Sequence, residues 1–135
     1  MSLASLQAAI EGRLKLFQST NVAWPNTRFV PDPRTPWLQP TIVWGRSTAL
    51  GPGESSVVRH SGMFLVACYF PTPGGSGAAL AKADQVLDWF PRGLSLGTSD
   101  GLQVRFETGS INQPRIEDEW YQVPVSCPWF CLEDG

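Results

Sequence analysis

The chain has 135 residues and a mass of 14.8 kDa, the usual size of one domain, so we expect a single domain over residues 1–135. A net charge of −2 and a pI near 5.3 argue against a nucleic-acid binder, which needs a basic surface to neutralise phosphates. Only 16% of the residues are charged and six are Trp, a balance that favours surface covered by a partner.

The first predicted element is an amphipathic helix over residues 3–17. Apolar side chains recur there at three- and four-residue steps, and Glu11 and Lys15 fall off that stripe. The periodicity stops over residues 19–37, where prolines and asparagines predict an extended irregular loop on the surface. Aromatic residues within this loop argue against disorder.

Two strands are predicted next. Residues 38–44 form a strand that Pro40 places at or near a sheet edge, and residues 45–56 form a second extended loop. The strongest strand covers residues 57–70. Its continuous apolar run over residues 64–70 indicates burial on both faces and therefore a central position.

The second half of the chain begins with a helix over residues 76–90, for which Ser76 is a plausible N-cap. Alternating apolar and polar residues predict a half-buried strand over residues 102–106, and a polar connection follows. The closing strand spans residues 120–131, and its two prolines place it near an edge or at bulges.

The element order is helix, strand, strand, helix, strand, strand. It predicts an α+β fold in which two helices pack on a mixed sheet of four or five strands. The second helix is the crossover between the second and third strands.

A zinc site is one possibility for the cysteines, because Cys68, Cys127, Cys131 and His60 offer Cys₃His ligands. Residues four apart on a strand lie about 13 Å from each other, too far for one ion unless Pro128 makes a turn. We therefore expect small buried thiols and no metal site.

Catalytic chemistry has little support in the sequence. Residues 72–77, Thr-Pro-Gly-Gly-Ser-Gly, join a strand to a helix but lack the Lys-Ser/Thr pair of a nucleotide-binding loop, which favours a hinge. His60 is the sole histidine, its neighbour Arg59 points to the opposite strand face, and no Gly-x-Ser-x-Gly elbow occurs. We expect no catalytic residue, no cofactor and no enzymatic activity.

The longest apolar run, residues 63–70, is too short to cross a bilayer, and the N-terminus lacks the features of a secretory signal. We therefore expect no membrane partner and folding in a cytoplasm, where three cysteines stay reduced.

The loop over residues 19–37 is rich in the side chains that anchor protein interfaces. Its interface candidates are Trp24, Asn26, Arg28, Phe29, Arg34 and Trp37. The alternative is that the loop folds back over its own sheet and its aromatic side chains fill a satellite core.

A second candidate is the acidic turn formed by Glu117, Asp118 and Glu119. Three carboxylates could bind a cation or act as acid and base, although consecutive acidic residues in a turn are more often a solvated loop tip. Residues 1–60 hold six basic and three acidic groups, and residues 61–135 hold four basic and nine acidic groups. The two halves could attract each other between subunits; a solvated acidic face is the alternative.

Four stretches in this order resemble a known family, and together they cover about residues 3–128. They are Asn21-Val22-Ala23-Trp24-Pro25-Asn26 with Phe29, Pro31 and Pro36-Trp37-Leu38; Phe70, Pro71, Pro73, Gly74, Gly75 and Gly77; Trp89-Phe90-Pro91-Arg92-Gly93; and Trp120-Tyr121-Gln122-Val123-Pro124-Val125. The sequence thereby resembles the tail terminator-like proteins of long-tailed bacteriophages.

The resemblance implies a structural phage or prophage protein, present in the host cytoplasm during assembly and then in the virion tail. Family members form a six-subunit ring that caps the head-proximal end of the tail tube, halts its polymerisation and presents a surface for head completion. The implied partners are sister subunits, the tail tube protein and a head-completion or connector protein. Loops 19–37 and 45–56 and turn 112–119 are free to make these contacts.

Two other functions stay open. One is another head-tail connector or minor tail component at a different position in the virion. The other is a small ligand-binding or enzymatic domain that uses a cleft beside Gly74 and Gly77.

Overall fold

A computed structural model describes residues 2–74 and 76–134 of the chain. These residues form two α-helices and seven β-strands, joined by loops and one 3₁₀ turn. Gly75 of the glycine-rich segment lies outside these residues. The elements are α1 (Leu3–Phe17), β1 (Trp37–Ala49), β2 (Val58–Pro71), a 3₁₀ turn (Thr72–Gly74), α2 (Gly77–Trp89), β3 (Ser95–Gly97), β4 (Gln103–Phe106), β5 (Ser110–Ile111), β6 (Arg115–Glu117) and β7 (Trp120–Glu133).

Both predicted helices are present, and α1 has the predicted bounds. Leu6, Ile10 and Leu14 form its buried stripe, and the Ser2 hydroxyl accepts a hydrogen bond from the Ser5 N–H at the N-terminus. Ser76 occupies the N-cap position of α2, but its side chain makes no capping hydrogen bond.

The α+β class is confirmed, but the predicted number of strands and the mixed sheet are wrong. The strand order is β1-β2-β7-β4-β3, β5 and β6 also pair with β7, and all these pairings are antiparallel. A single parallel bridge, Val22 to Leu38, lies outside the named strands. The additional strands β3, β5 and β6 have three residues or fewer, too short to give a periodic signal.

The predicted position of β7 near an edge is also wrong, because β7 lies between β2 and the β4, β5 and β6 strands. Pro124 and Pro128 fall between the stretches that pair with β6, β5 and β4. Their carbonyls accept hydrogen bonds from the N–H groups of Asn112 and Glu107 on that side. In an antiparallel strand, the N–H and C=O of one residue point to the same neighbouring strand. Each proline therefore faces β4, β5 and β6 at a gap in the pairing, where the N–H that proline lacks is not needed.

The edge position of β1 is confirmed, and β2 is an interior strand between β1 and β7. The predicted burial of β2 on both faces is wrong, because Leu65 and Ala67 on the open face are only half-buried. The structure differs from the expected loop over residues 45–56, because β1 continues to Ala49 after a register shift between Trp44 and Ser47. A close strand approach occurs at this shift: a Cβ on Gly45 would lie 2.6 Å from the Ser61 carbonyl oxygen. The remaining loop covers residues 50–57.

Both helices pack on one face of the sheet, and this layer is the hydrophobic core. Alternate residues of β2, β4 and β7 point into it, together with one side of α2. The fully buried members are Leu6, Ile10, Leu14, Phe64, Val66, Cys68, Ala79, Ala83, Val86, Val104, Val123, Val125, Cys127 and Cys131. The opposite face, which we call the open face, is the side to which the intervening strand residues point.

Candidate assembly surface

The loop between α1 and β1 is fixed to the sheet edge at its start. The Ala23 N–H donates to the Leu38 carbonyl at 2.8 Å, and the Leu38 N–H donates to the Asn21 carbonyl at 3.0 Å. Val22, between them, is buried in the core. These bonds give the first part of the loop a defined position beside β1.

Trp24 contacts the chain's own core. Its half-buried ring packs against the buried cluster, and the Lys15 ammonium lies 5.4 Å from the ring centroid. The Thr27 N–H donates to the Trp24 carbonyl, and Asn26 has a φ of 57°, which asparagine tolerates better than most residues. Arg28, the next candidate, is exposed.

Trp37 is the centre of an aromatic cluster on the open face. Its ring stacks on Tyr69 with 4.0 Å between centroids and an interplanar angle of 5°. Phe29 lies 5.2 Å from Trp37, and Trp120 meets it edge-on at 5.8 Å. The Trp37 Nε1–H is buried and has no hydrogen-bond acceptor among the described residues. The cluster joins the loop, β1, β2 and β7.

A row of polar side chains continues from this cluster across the sheet. The Tyr69 hydroxyl donates to Gln39 Oε1 at 3.2 Å and accepts from Gln122 Nε2 at 2.9 Å. Arg115 Nε donates to Gln122 Oε1 at 2.5 Å. Burial raises the pKa of Tyr69, and the Glu117 carboxylate raises it further against the opposing charge of Arg115. The phenol therefore stays protonated and keeps its donor.

The acidic turn connects β6 to β7 beside this row. Glu117, Asp118 and Glu119 are all exposed, and the Arg115 guanidinium lies 3.8 Å from the Glu117 carboxylate. Asp118 has a φ of 55°, and the Glu119 carbonyl accepts from the Thr72 N–H at 3.1 Å. The backbone of the turn is thus held in place, while its carboxylates face solvent.

The structure brings the loop and the acidic turn to the same end of the sheet. Arg34 and Glu119 line one open cleft of about 750 Å³, with prolines from the loop and from the end of β2 and the 3₁₀ turn that follows it. We call this region the aromatic end; it consists of Phe29, Arg34, Trp37, Tyr69, Glu117, Asp118, Glu119 and Trp120.

Residues 5–129, nearly the whole chain, match the model of the family described as phage tail terminator protein. The chain belongs to the phage tail terminator family. A solved structure with 27% sequence identity superposes with a TM-score of 0.80, covering 100% of this chain and 98% of the other, whose name states no function. No curated protein matches the sequence. Membership confirms the resemblance and makes this chain a structural protein of a phage tail.

The described residues of this tail terminator include a hydrogen-bonded Ser-His-Glu row that sequence reasoning missed. Ser47 Oγ lies 2.7 Å from His60 Nδ1, and His60 Nε2 lies 2.9 Å from Glu133 Oε1. The order matches a nucleophile, base and orienting carboxylate. Ser47 is exposed on the edge strand, however, so water reaches the hydroxyl that would have to react. The row joins the ends of three neighbouring strands, β1, β2 and β7.

The thiols of this tail terminator are all buried and free. Burial raises the pKa values of Cys68 and Cys127 to about 12, with Lys82 opposing the shift at Cys68, and burial also raises the pKa of Cys131. Across residues 2–74 and 76–134, no three His, Cys, Asp or Glu side chains are placed to hold a metal ion. No helix within these ranges is long and apolar enough to span a bilayer.

Exposed apolar residues on β1 and its flanking loops are the second feature that sequence reasoning missed. Val43 and Trp44 lie on the edge strand, and Val30 and Leu50 lie in the flanking loops. Their positions were visible in the sequence. Val43 and Trp44 fall in the strand predicted near a sheet edge, and Val30 and Leu50 fall in the two predicted loops.

Proposed function

We propose that this tail terminator is a single-domain protein over residues 1–135 that assembles into a six-subunit ring on the head-proximal end of the tail tube. The ring stops polymerisation of tube protein and presents the surface that a head-completion or connector protein joins. Assembly takes place in the host cytoplasm, and the protein remains in the virion tail without enzymatic activity, cofactor or metal. The observation that carries this proposal is the family match over residues 5–129.

The open edge of β1 supports a contact between subunits. Among the described residues, β1 is bridged on its outer side at Leu38 only, so the backbone groups of residues 39–49 on that side have no strand partner. Unpaired strand edges readily pair with another chain. Val43 and Trp44, exposed by 45% and 41%, provide apolar area beside this edge.

The aromatic end supports a second contact. It combines an anchored aromatic cluster with charged residues at its rim, the arrangement typical of interface centres. A closed ring needs two different complementary surfaces on each subunit, because identical surfaces would give a two-fold dimer. The aromatic end and the β1 edge are two such surfaces. The roles of Trp24, Asn26, Arg28, Phe29, Arg34, Trp37 and the acidic turn in these contacts are part of this proposal.

Tube growth in the presence of this protein tests the proposal. Purified tube protein is polymerised with and without it, and tube lengths are measured by negative-stain electron microscopy. We expect growth to stop at tubes that carry the protein at one end, and Asp84→Lys on the exposed side of α2 serves as a control that should act like the wild type. Unchanged tube lengths would contradict termination, and binding to a head connector without tube binding would assign the chain to another connector class.

A further inference from the structure

An open cleft of about 840 Å³ lies on the open face, at the other end of β7 from the acidic turn. Pro128 and Phe130 form its half-buried apolar floor. Arg92 and Arg105 line it and are exposed. Arg105 points to this face because its neighbours in β4, Val104 and Phe106, point into the core.

The cleft carries more positive than negative charge, although the whole chain has a net charge of −2. Neither Arg92 nor Arg105 has an ion pair or side-chain hydrogen bond with the described residues. The Arg59 guanidinium lies 4.7 Å from the centroid of Phe130 and 3.4 Å from the Glu107 carboxylate, which lines the same cleft. Three guanidinium groups therefore surround an apolar floor with one carboxylate among the described residues to balance them.

The complementary charge is found on the same chain but out of reach. Ten residue steps along β7 lead from Trp120, next to the acidic turn, to Phe130 in the cleft, which corresponds to about 34 Å along a strand. The carboxylates of the turn therefore cannot enter the cleft of their own chain. A second copy of the chain can bring them there.

We propose that the Arg92–Arg105 cleft receives the acidic turn, Glu117, Asp118 and Glu119, of a neighbouring copy of this chain. The proposal rests on the ring proposed above and gives one of its contacts. Within a ring this contact is head-to-tail, because the cleft of each subunit receives the turn of one neighbour and its own turn enters the cleft of the next. The residues that line the cleft and those of the acidic turn all lie within residues 61–135, so the contact does not join a basic first half to an acidic second half.

The shape of the turn also fits this contact. The turn ends a two-stranded ribbon, β6 and the start of β7, and the side chain of Ile116 in that ribbon is 72% exposed. An isoleucine beside carboxylates matches an apolar floor with arginines around it. Insertion of the ribbon tip would cover Ile116 and pair at least two of the carboxylates with guanidinium groups.

Charge reversal on each side tests the pairing. The cleft variant is Arg92→Glu with Arg105→Glu, and the turn variant is Glu117→Lys with Glu119→Lys, which leaves the positive φ of Asp118 undisturbed. Each variant alone should raise the dissociation constant between subunits about tenfold or more. A chain that carries both reversals should return to the dissociation constant of the wild type. Asp84→Lys with Asp88→Lys on the exposed side of α2 is the charge-matched control for the turn variant. Unfolding by denaturant verifies that every variant is folded.

Disulfide trapping gives a readout that does not need the tail tube. Arg105→Cys with Glu119→Cys in one chain should form disulfide-linked dimers and larger chains about tenfold faster than Asp84→Cys with Glu119→Cys. Asp84 is exposed on α2, on the other side of the sheet from the cleft and away from the β1 edge, and the three native thiols are buried and do not compete. Equal rates for the two pairs would overturn the contact.

The two proposals can fail separately. Capping of tubes by the wild type and equally by both reversal variants would keep the terminator proposal and overturn this contact. The contact would stand and termination would be contradicted if the Arg105→Cys, Glu119→Cys disulfide forms and subunit association recovers in the chain with both reversals, while the wild type does not cap tubes. If the wild type binds a short DNA duplex and the cleft variant does not, the arginines bind phosphates instead of carboxylates, and the proposal is overturned.

Discussion

The two faces of the sheet are built in different ways. The face under the helices is sealed by aliphatic, cysteine and aromatic side chains that alternate regularly along β2, β4 and β7. The open face carries the Trp37–Tyr69 stack, the Gln122–Arg115 row and the cationic cleft. One face thus provides stability from regular patterning, and the other concentrates polar and aromatic groups at defined points where partners can bind.

The largest effect is expected on the covered face. Phe64→Ala removes a fully buried ring that contacts Phe90, and we expect a loss of about 3–5 kcal/mol in the free energy of unfolding. Phe130→Ala, a half-buried ring on the open face, is the matched aromatic control and should cost about 1 kcal/mol. Urea unfolding of both variants measures this difference. Equal losses would show that the open face contributes as much to the free energy of unfolding as the covered face.

A smaller effect is expected at the aromatic end. Trp37→Ala removes three ring contacts, and we expect a loss of about 2–3 kcal/mol with the fold retained. Trp37→Phe should recover about half of that loss by keeping part of the stack on Tyr69.

Tube capping by folded Trp37→Ala protein then separates a structural role from an interface role. We expect capping to decrease more for Trp37→Ala than for Trp24→Ala, because Trp24 packs against the core while Trp37 lies at the aromatic end. Normal capping by folded Trp37→Ala would contradict the interface role of this cluster.

The buried thiols of the covered face predict a pH dependence. Unfolded thiols ionise near pH 8.5, whereas the folded-state pKa values of Cys68 and Cys127 are raised to about 12. Between these values the unfolded state loses protons that the folded state keeps, so stability falls as pH rises, by about 1 kcal/mol per thiol from pH 8.5 to 9.5. Chemical unfolding at several pH values measures the slope. The Cys68→Ala, Cys127→Ala double variant should show a shallower slope, and an unchanged slope would contradict burial of these thiols.

The smallest effect is expected at the Ser-His-Glu row. His60→Gln breaks the bonds to Ser47 and Glu133, and we expect a loss of about 1 kcal/mol in the free energy of unfolding. Ester hydrolysis by the wild type should be no faster than by Ser47→Ala, because the hydroxyl is exposed to water. Hydrolysis that disappears in Ser47→Ala would give this row a catalytic role.

Sequence patterning predicted the covered face well because its signals are local. The stripe of α1 and the apolar run of β2 report burial directly, and both elements are where the sequence placed them. The position of β7 could not be predicted, because the sequence does not show that Pro124 and Pro128 face gaps between short strands. The prolines therefore suggested an edge, and the pairing partners decided otherwise.

The candidate surface was predictable in its residues but not in its arrangement. The composition of the loop singled out Phe29 and Trp37, and the carboxylate run singled out the acidic turn. Their meeting at one end of the sheet depends on contacts between distant segments, such as Trp37 with Trp120. The cleft with Arg92 and Arg105 has no sequence signal. The two arginines come together only when the Gly93 N–H bonds to the Phe106 carbonyl, and Arg105 meets the Phe130 floor only when β4 pairs with β7.

Electron cryomicroscopy of tails assembled with this protein tests whether it terminates the tube. We expect a ring of six copies at the head-proximal end of the tube, with each subunit contacting its neighbours through two different surfaces, and tubes of one length. Density for this protein elsewhere in the tail, or tubes that continue beyond it, would show that it is not a terminator.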